Sequence, residues 1–191
     1  MKDYLQLPAA YCKLAEIDLQ NNKKEMILVN GFSLALAAAA ALPAALRHPF
    51  GPLFEAESPI ILLQRFAVQI VGMALYLVLH ELVHGVFMWY YTKEKPRYGF
   101  TGLYAYAGSD AYFCRSHYII IALAPVVVWG AVLAVLTPLA NPQWFWVVYL
   151  IQVFNISGAA GDLYVTARLL RMPRDILITD SGVAMQVFGR E

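Results

Sequence analysis

The chain has 191 residues, of which 60% are hydrophobic and 14% charged, and its net charge is +1. It is more apolar than a soluble domain of this size needs to be, which points to a membrane protein, and it lacks the basic patch that nucleic acid would require. Neither GxxxxGKS/T nor GxGxxG occurs, and Cys12 and Cys114, with no CxxC, suggest neither a disulfide framework nor a thiolate zinc site.

Residues 1–25 carry Lys2, Lys13, Lys23 and Lys24 with several acids and are expected to lie outside the bilayer. They lack a continuous apolar core, so no cleavable leader is expected and the first membrane helix would act as the insertion signal. Partial alternation over 12–20, before the turn at Asn21-Asn22, predicts a short strand. Met26 to Leu46 is apolar and rich in Ala, close to the roughly 20 residues of a spanning helix, with Pro43 near its end. Arg47 to Pro59, with Pro49, Gly51 and Pro52, reads as a loop.

The second apolar run, 60–91, would extend roughly 45 Å as a helix, more than a hydrocarbon core of about 30 Å, so it must tilt or protrude. Arg65 lies in its first part and is expected to snorkel to the interface. From Thr92 to His117 the chain turns polar and aromatic. Tyr98-Gly99-Phe100 and Leu103-Tyr104-Ala105-Tyr106 flank Thr101-Gly102, which suggests a hairpin or a membrane-dipping loop, the alternative being an interfacial aromatic belt. Tyr118 to Ala140 is a third apolar run, kinked at Pro125. A tight Asn141-Pro142-Gln143 connection leads to the fourth, 144–170, where Ser157, Gly158 and Gly161 allow close approach of a neighbouring helix. The tail alternates at Ile176-Leu177-Ile178, turns at Asp180-Ser181-Gly182 and continues to Phe188, a second small β element suited to pair with the N-terminal strand. With no internal repeat, residues 1–191 read as one domain. The expected fold is an all-α integral membrane bundle of four transmembrane helices (about 26–46, 60–91, 118–140 and 144–170), with small β-hairpin or strand elements on the cytoplasmic side.

Lys and Arg alternate in phase with those four spans. Four precede the first; between the first and second stands only Arg47; Lys93, Lys95, Arg97 and Arg115 follow the second; none separates the third from the fourth; and Arg168, Arg171, Arg174 and Arg190 end the chain. This predicts a multi-pass protein with both termini, and the 171–191 tail, in the cytoplasm.

The stretch His80-Glu81-Leu82-Val83-His84 places three polar residues in a segment that penalises polarity. In a helix, His80 and His84 stand one turn apart on one face and can reach one ion, while Glu81 beside them can act on water: this is HExxH spacing. A satisfied core histidine is the plain alternative for either ring alone. The extended HExxHxxGxxH pattern fails, since Tyr90 stands where its last His would be. Asp162 lies six residues before Arg168, and His84 nine before Lys93, so on helices running the same way their depths differ by roughly 5 Å. Asp162 can therefore supply a third, oxygen ligand to zinc (Zn2+); its alternative is a helix-end carboxylate reaching Arg168. Glu94, Asp110 and His117 are loop residues without a facing helix. Asn155, two turns before Asp162 on the same face, can hold a substrate backbone or an oxyanion, or make an interhelical hydrogen bond.

These residues resemble the site-2 protease group of intramembrane zinc peptidases, with HExxH in one membrane helix and an aspartate in a later one. They are also similar to the small zincin peptidases of the DUF3267 family, through Glu16-Ile17-Asp18-Leu19, His80 to Gly85, Tyr104-Ala105-Tyr106 and Gly161-Asp162-Leu163. The resemblance implies His80, His84 and Asp162 as zinc ligands and Glu81 as the catalytic base. Gly158 occupies the place where site-2 proteases carry Pro, and Leu163 follows the Asp where they carry Gly.

The function expected is peptide-bond hydrolysis in membrane protein or peptide substrates by zinc-activated water, with the lipid bilayer as surroundings. The aromatic loop, 98–113, would hold an unwound substrate by β-augmentation. The alternatives are a noncatalytic membrane protein with a structural or metal-binding His/Asp cluster, and a small ion or proton transporter.

Overall fold

The first spanning helix starts where Asn22 caps it, its side-chain oxygen accepting from the amides of Lys24 (3.2 Å) and Glu25 (3.5 Å). In this computed structural model, which describes residues 2–19, 22–102, 105–182 and 184–190, the chain runs through eleven elements. They are β1 (Tyr11–Ile17), α1 (Lys23–Ala45), α2 (Gly51–Phe54), α3 (Pro59–Thr92), β2 (Arg97–Phe100), β3 (Ala105–Cys114), α4 (Arg115–Leu139), α5 (Pro142–Gly158), α6 (Ala160–Leu170), β4 (Leu177–Asp180) and β5 (Met185–Arg190). Proline marks two further starts, at the first turns of α3 and α5, where a missing N–H costs nothing. The α3 helix stops at Lys93, in the left-handed conformation, whose amide closes on Trp89 O at 2.7 Å.

Of the described residues, 62% are helical. Among the described residues, four segments are long and apolar enough to cross a membrane: Lys23–Ala45, Pro59–Thr92, Arg115–Leu139 and Pro142–Leu170. Their outer faces carry exposed Leu28, Leu34, Leu63, Ile70, Val127 and Val135, whereas α3 turns His80 and His84 inward. Apolar outside and polar inside suits a lipid solvent.

Three details differ from the sequence expectations. The fourth span is two helices, broken at Ala159, which leaves Asp162 in the first turn of α6. The 47–59 loop contains the short helix α2, started by Pro52. Arg65 does not snorkel: it is buried, its Nη1 donating to the carbonyls of Pro52 (3.3 Å), Leu53 (2.9 Å) and Glu55 (2.7 Å) and its Nη2 to Gln143 Oε1 (3.2 Å). Backbone left over by the irregular loop needs a donor, and a guanidinium fans out enough N–H groups to serve several carbonyls at once.

The small β elements join into one antiparallel sheet in the order β1-β5-β4-β3-β2. The N-terminal strand pairs with the tail, Tyr11 opposite Arg190 and Ile17 opposite Met185. The aromatic stretch is a hairpin, Arg97 opposite Gly108, and its long strand β3 continues onto β4, Cys114 opposite Leu177. Gln20, Asn21, Leu103, Tyr104 and Val183, to which the sequence assigns turn, loop and strand positions, lie outside the described residues. Since the strands flank α1, lie between α3 and α4 or follow α6, one sheet ties them to one end of the bundle. There Ile17, Phe113, Ile178 and Val187 pack with Met88, Tyr118 and Leu169 in the main core.

Candidate metal centre

His80 and His84 occupy one face of α3, and the break at Ala159 brings the first turn of α6 against them. His80 Nε2 lies 3.2 Å from His84 Nε2 and 3.3 Å from Asp162 Oδ2, and His84 Nε2 lies 3.5 Å from Asp162 Oδ1. Ligands about 2.0–2.1 Å from a tetrahedral zinc stand roughly 3.3 Å from one another, so the spacing matches. Both rings are buried.

The hydrogen bonds behind the rings decide what these atoms offer. His84 Nδ1 is 2.9 Å from the carbonyl oxygen of Ile121, which only accepts, so the ring proton belongs on Nδ1. His80 Nδ1 is 2.9 Å from the Tyr76 hydroxyl, which donates to Asn155 Oδ1 at 2.9 Å and so receives the His80 proton. In neutral rings both Nε2 atoms are then lone pairs, facing a carboxylate. A proton placed among them satisfies one pair; one divalent cation satisfies all. The residues thus fit the zinc that the motif implies.

Glu81 lines the same cavity, of about 390 Å³, together with Tyr106, Ala107, Asp180 and Met185 from the sheet. The Ala107 amide donates to its carboxylate. Tyr98 packs over the motif helix at Gly85, where a Cβ would stand 2.0 Å from its hydroxyl oxygen; burial, then the charge of Glu81, raises that phenol above its ordinary value. Asp180 receives hydrogen bonds from the Tyr118 hydroxyl and from the Gly182 amide (2.8 Å). Burial nevertheless pushes its carboxyl above the usual range.

Two of the competing ligands, Asp110 and His117, are engaged elsewhere. Asp110 pairs with Arg97 (2.5 Å), and His117 Nδ1 with Asp3 (2.6 Å) while its ring stacks on Tyr91. Asp3, Cys114 and His117 also form a compact group, but there Asp3 accepts from the Cys114 amide (2.8 Å) as well as facing His117, so its acceptors already have donors. Arg168 binds Glu25 (2.5 Å) and so does not take Asp162. Asn155 is fully buried, its Nδ2 facing Val126 O (3.2 Å) and Gln152 Oε1 (3.4 Å), which is the interhelical hydrogen bond among its sequence readings and leaves no N–H for a substrate or an oxyanion. Sequence reasoning passed over Tyr76, Ala107, Tyr118 and Asp180. Only Tyr76 left a signal, one turn before His80 on the same helix face.

The apolar helical bundle thus gathers His80, His84 and Asp162 around one point that could hold a metal ion. Residues 73–177, more than half of the chain, match the DUF3267 family, described as "Putative zincin peptidase", and the chain belongs to it. No curated protein and no solved structure matches it.

Proposed function

We propose that this protein is a membrane-embedded zinc metallopeptidase. The observation that carries this is the convergence of two Nε2 lone pairs and a carboxylate at tetrahedral spacing, in one cavity with Glu81. His80, His84 and Asp162 would hold the ion, which acidifies water and polarises a carbonyl when bound. Glu81, oriented by the Ala107 amide, takes a proton from the attacking water and passes it to the leaving amine. The apolar lining from Met88, Ile121, Val165 and Met185 keeps bulk water out and favours apolar substrate side chains.

Two further parts of the reading follow from the sequence. The positive charge on the N-terminal segment, the 92–117 connection and the tail supports a cytoplasmic sheet end. A membrane substrate must unwind to expose a peptide bond, and the β2–β3 hairpin, with β2 at the sheet edge, would hold it extended.

The test is Glu81→Gln, which keeps the shape of the side chain and removes the carboxylate that can take a proton. Bound zinc is measured on purified protein, and cleavage is followed on membrane-substrate reporters. Zinc retained with cleavage lost by 10²-fold or more is the expected pair of results. Equal cleavage by both proteins would refute Glu81 as the base, no cleavage by either with zinc bound would mean a noncatalytic metal site, and no zinc in the native protein would leave an ion path.

A further inference from the structure

Both histidines are held from behind by groups that end on α4, and the two arrangements have a common logic. The partner of His84 is the carbonyl of Ile121. In an uninterrupted helix that oxygen accepts the amide of the residue four positions on, and here that residue is Pro125, which has no N–H. The missing amide leaves a buried carbonyl that needs a donor, since Ile121 and Pro125 are both buried in α4. His84 reaches across from α3 to supply one, and this fixes the proton on Nδ1.

The partner of His80 is less decisive alone, because a hydroxyl can donate or accept. The choice is made one group further on. Asn155 Nδ2 faces two oxygens, Val126 O and Gln152 Oε1, which orients the amide and turns Oδ1 toward Tyr76. Oδ1 only accepts, so the Tyr76 hydrogen points there and the hydroxyl lone pair faces His80 Nδ1. This relay also ends on α4, at Val126, the residue after Pro125.

We propose that Tyr76, Asn155 and Pro125 are positioning residues that hold both motif imidazoles in the Nδ1–H tautomer, so that both Nε2 lone pairs face one divalent cation. The proposal rests on the metal-site reading above. The opposite tautomer would aim an N–H from either ring at Asp162, closing the site with an internal hydrogen bond and removing a ligand. Pro125 therefore does more than bend a helix: it frees the carbonyl that makes His84 a ligand. Tyr76 and Asn155 do the same for His80 by a two-step chain.

The test uses the full chain in detergent, with zinc affinity measured by competition against a chromogenic chelator. Tyr76→Phe, Asn155→Leu and Pro125→Ala should each weaken zinc binding about 10- to 100-fold, the usual effect of losing such a partner. Tyr76→Phe combined with Asn155→Leu should bind no more weakly than Tyr76→Phe alone, since both act through one hydrogen bond. Cobalt(II)-loaded protein gives the readout that a loosened fold would not: two exchangeable, hyperfine-shifted Nδ1–H proton resonances in the wild type. Tyr76→Phe should abolish the His80 signal and leave that of His84, and Pro125→Ala should do the reverse. Wild-type affinity with both resonances kept in the variants would overturn the positioning role and leave the metal site standing. Loss of affinity with no selective loss of a resonance would also overturn it. A wild type that binds zinc no better than His80→Ala would instead overturn the metal-site reading, and this proposal with it.

Discussion

Asp162→Asn should have opposite effects on the metal-free and metal-loaded protein. Without a cation and with both rings neutral, Asp162 sets two carboxylate oxygens 3.3 and 3.5 Å from two imidazole lone pairs, so acceptors face acceptors. An amide in the same place offers an N–H to one Nε2, a hydrogen bond with a net value of about 1 kcal/mol. In a chain of this length that corresponds to a rise in the unfolding midpoint of about 2–4 °C. The metal-loaded protein responds the other way. Zinc at about one hundred times its dissociation constant stabilises the folded state by about 2.7 kcal/mol, or about 5–10 °C, and the variant should lose most of that gain. Four melting curves followed by tryptophan fluorescence in detergent, for wild type and variant with EDTA and with zinc, measure both effects. A zinc-induced rise of equal size in the two proteins would refute the assignment of Asp162 as a ligand, and a variant less stable than wild type in EDTA would refute the account of opposed acceptors.

Other perturbations separate the fold from the site. Arg65→Met leaves the carbonyls of Pro52, Leu53 and Glu55 without their donor and should destabilise by about 2–4 kcal/mol in denaturant, while zinc affinity, roughly 22 Å along the helix, stays as in the wild type. Gly108→Ala puts a Cβ 2.5 Å from the Ser181 carbonyl carbon and oxygen, backbone that cannot swing aside. A cost of about 1–3 kcal/mol and faster amide exchange over 105–110 are expected, and unchanged exchange there would count against the close contact. The raised carboxyl of Asp180 means that the folded chain holds this proton more tightly than the unfolded one. Its contribution to stability is thus full below the unfolded value of about 3.9 and is lost as pH rises through the raised folded value. Asp180→Asn removes that loss, so its stability should fall less steeply above pH about 4 than that of the wild type; parallel profiles would exclude Asp180 as the source.

Much of the framework was legible because it is written in short-range pattern. Spans of about 20 apolar residues identify helices without knowledge of their neighbours, and the helices α1, α3 and α4 begin and end within a few residues of the expected positions. The HExxH spacing works through one helical turn, so His80 and His84 converge whatever surrounds them. Asp162 was reachable by a longer inference, because successive spans run in opposite directions and the rise per residue gives depth. The break at Ala159 escaped notice, although Gly158 and Gly161 bracket it, because glycine in an apolar run reads equally as a site of close helix packing.

Other features depend on residues far apart in the chain and carry no period. Arg65 sits in an apolar helix, where sequence favours snorkelling; only the folded loop of 49–55 shows carbonyls waiting for it. The strand segments at the two termini and the aromatic hairpin could each be read locally, but their union into one sheet rests on pairings such as Tyr11 with Arg190. Likewise Pro125 announces a kink in sequence, while its freed carbonyl has meaning only once His84 lies across from it.

The sequence by itself determined that four apolar helical segments form and that two imidazoles and a carboxylate share one turn of the second, since both follow from spacing along a helix. Only the tertiary structure decided which nitrogen of each imidazole faces the centre, because that choice belongs to hydrogen-bond partners 37 and 79 residues away from His84 and Tyr76.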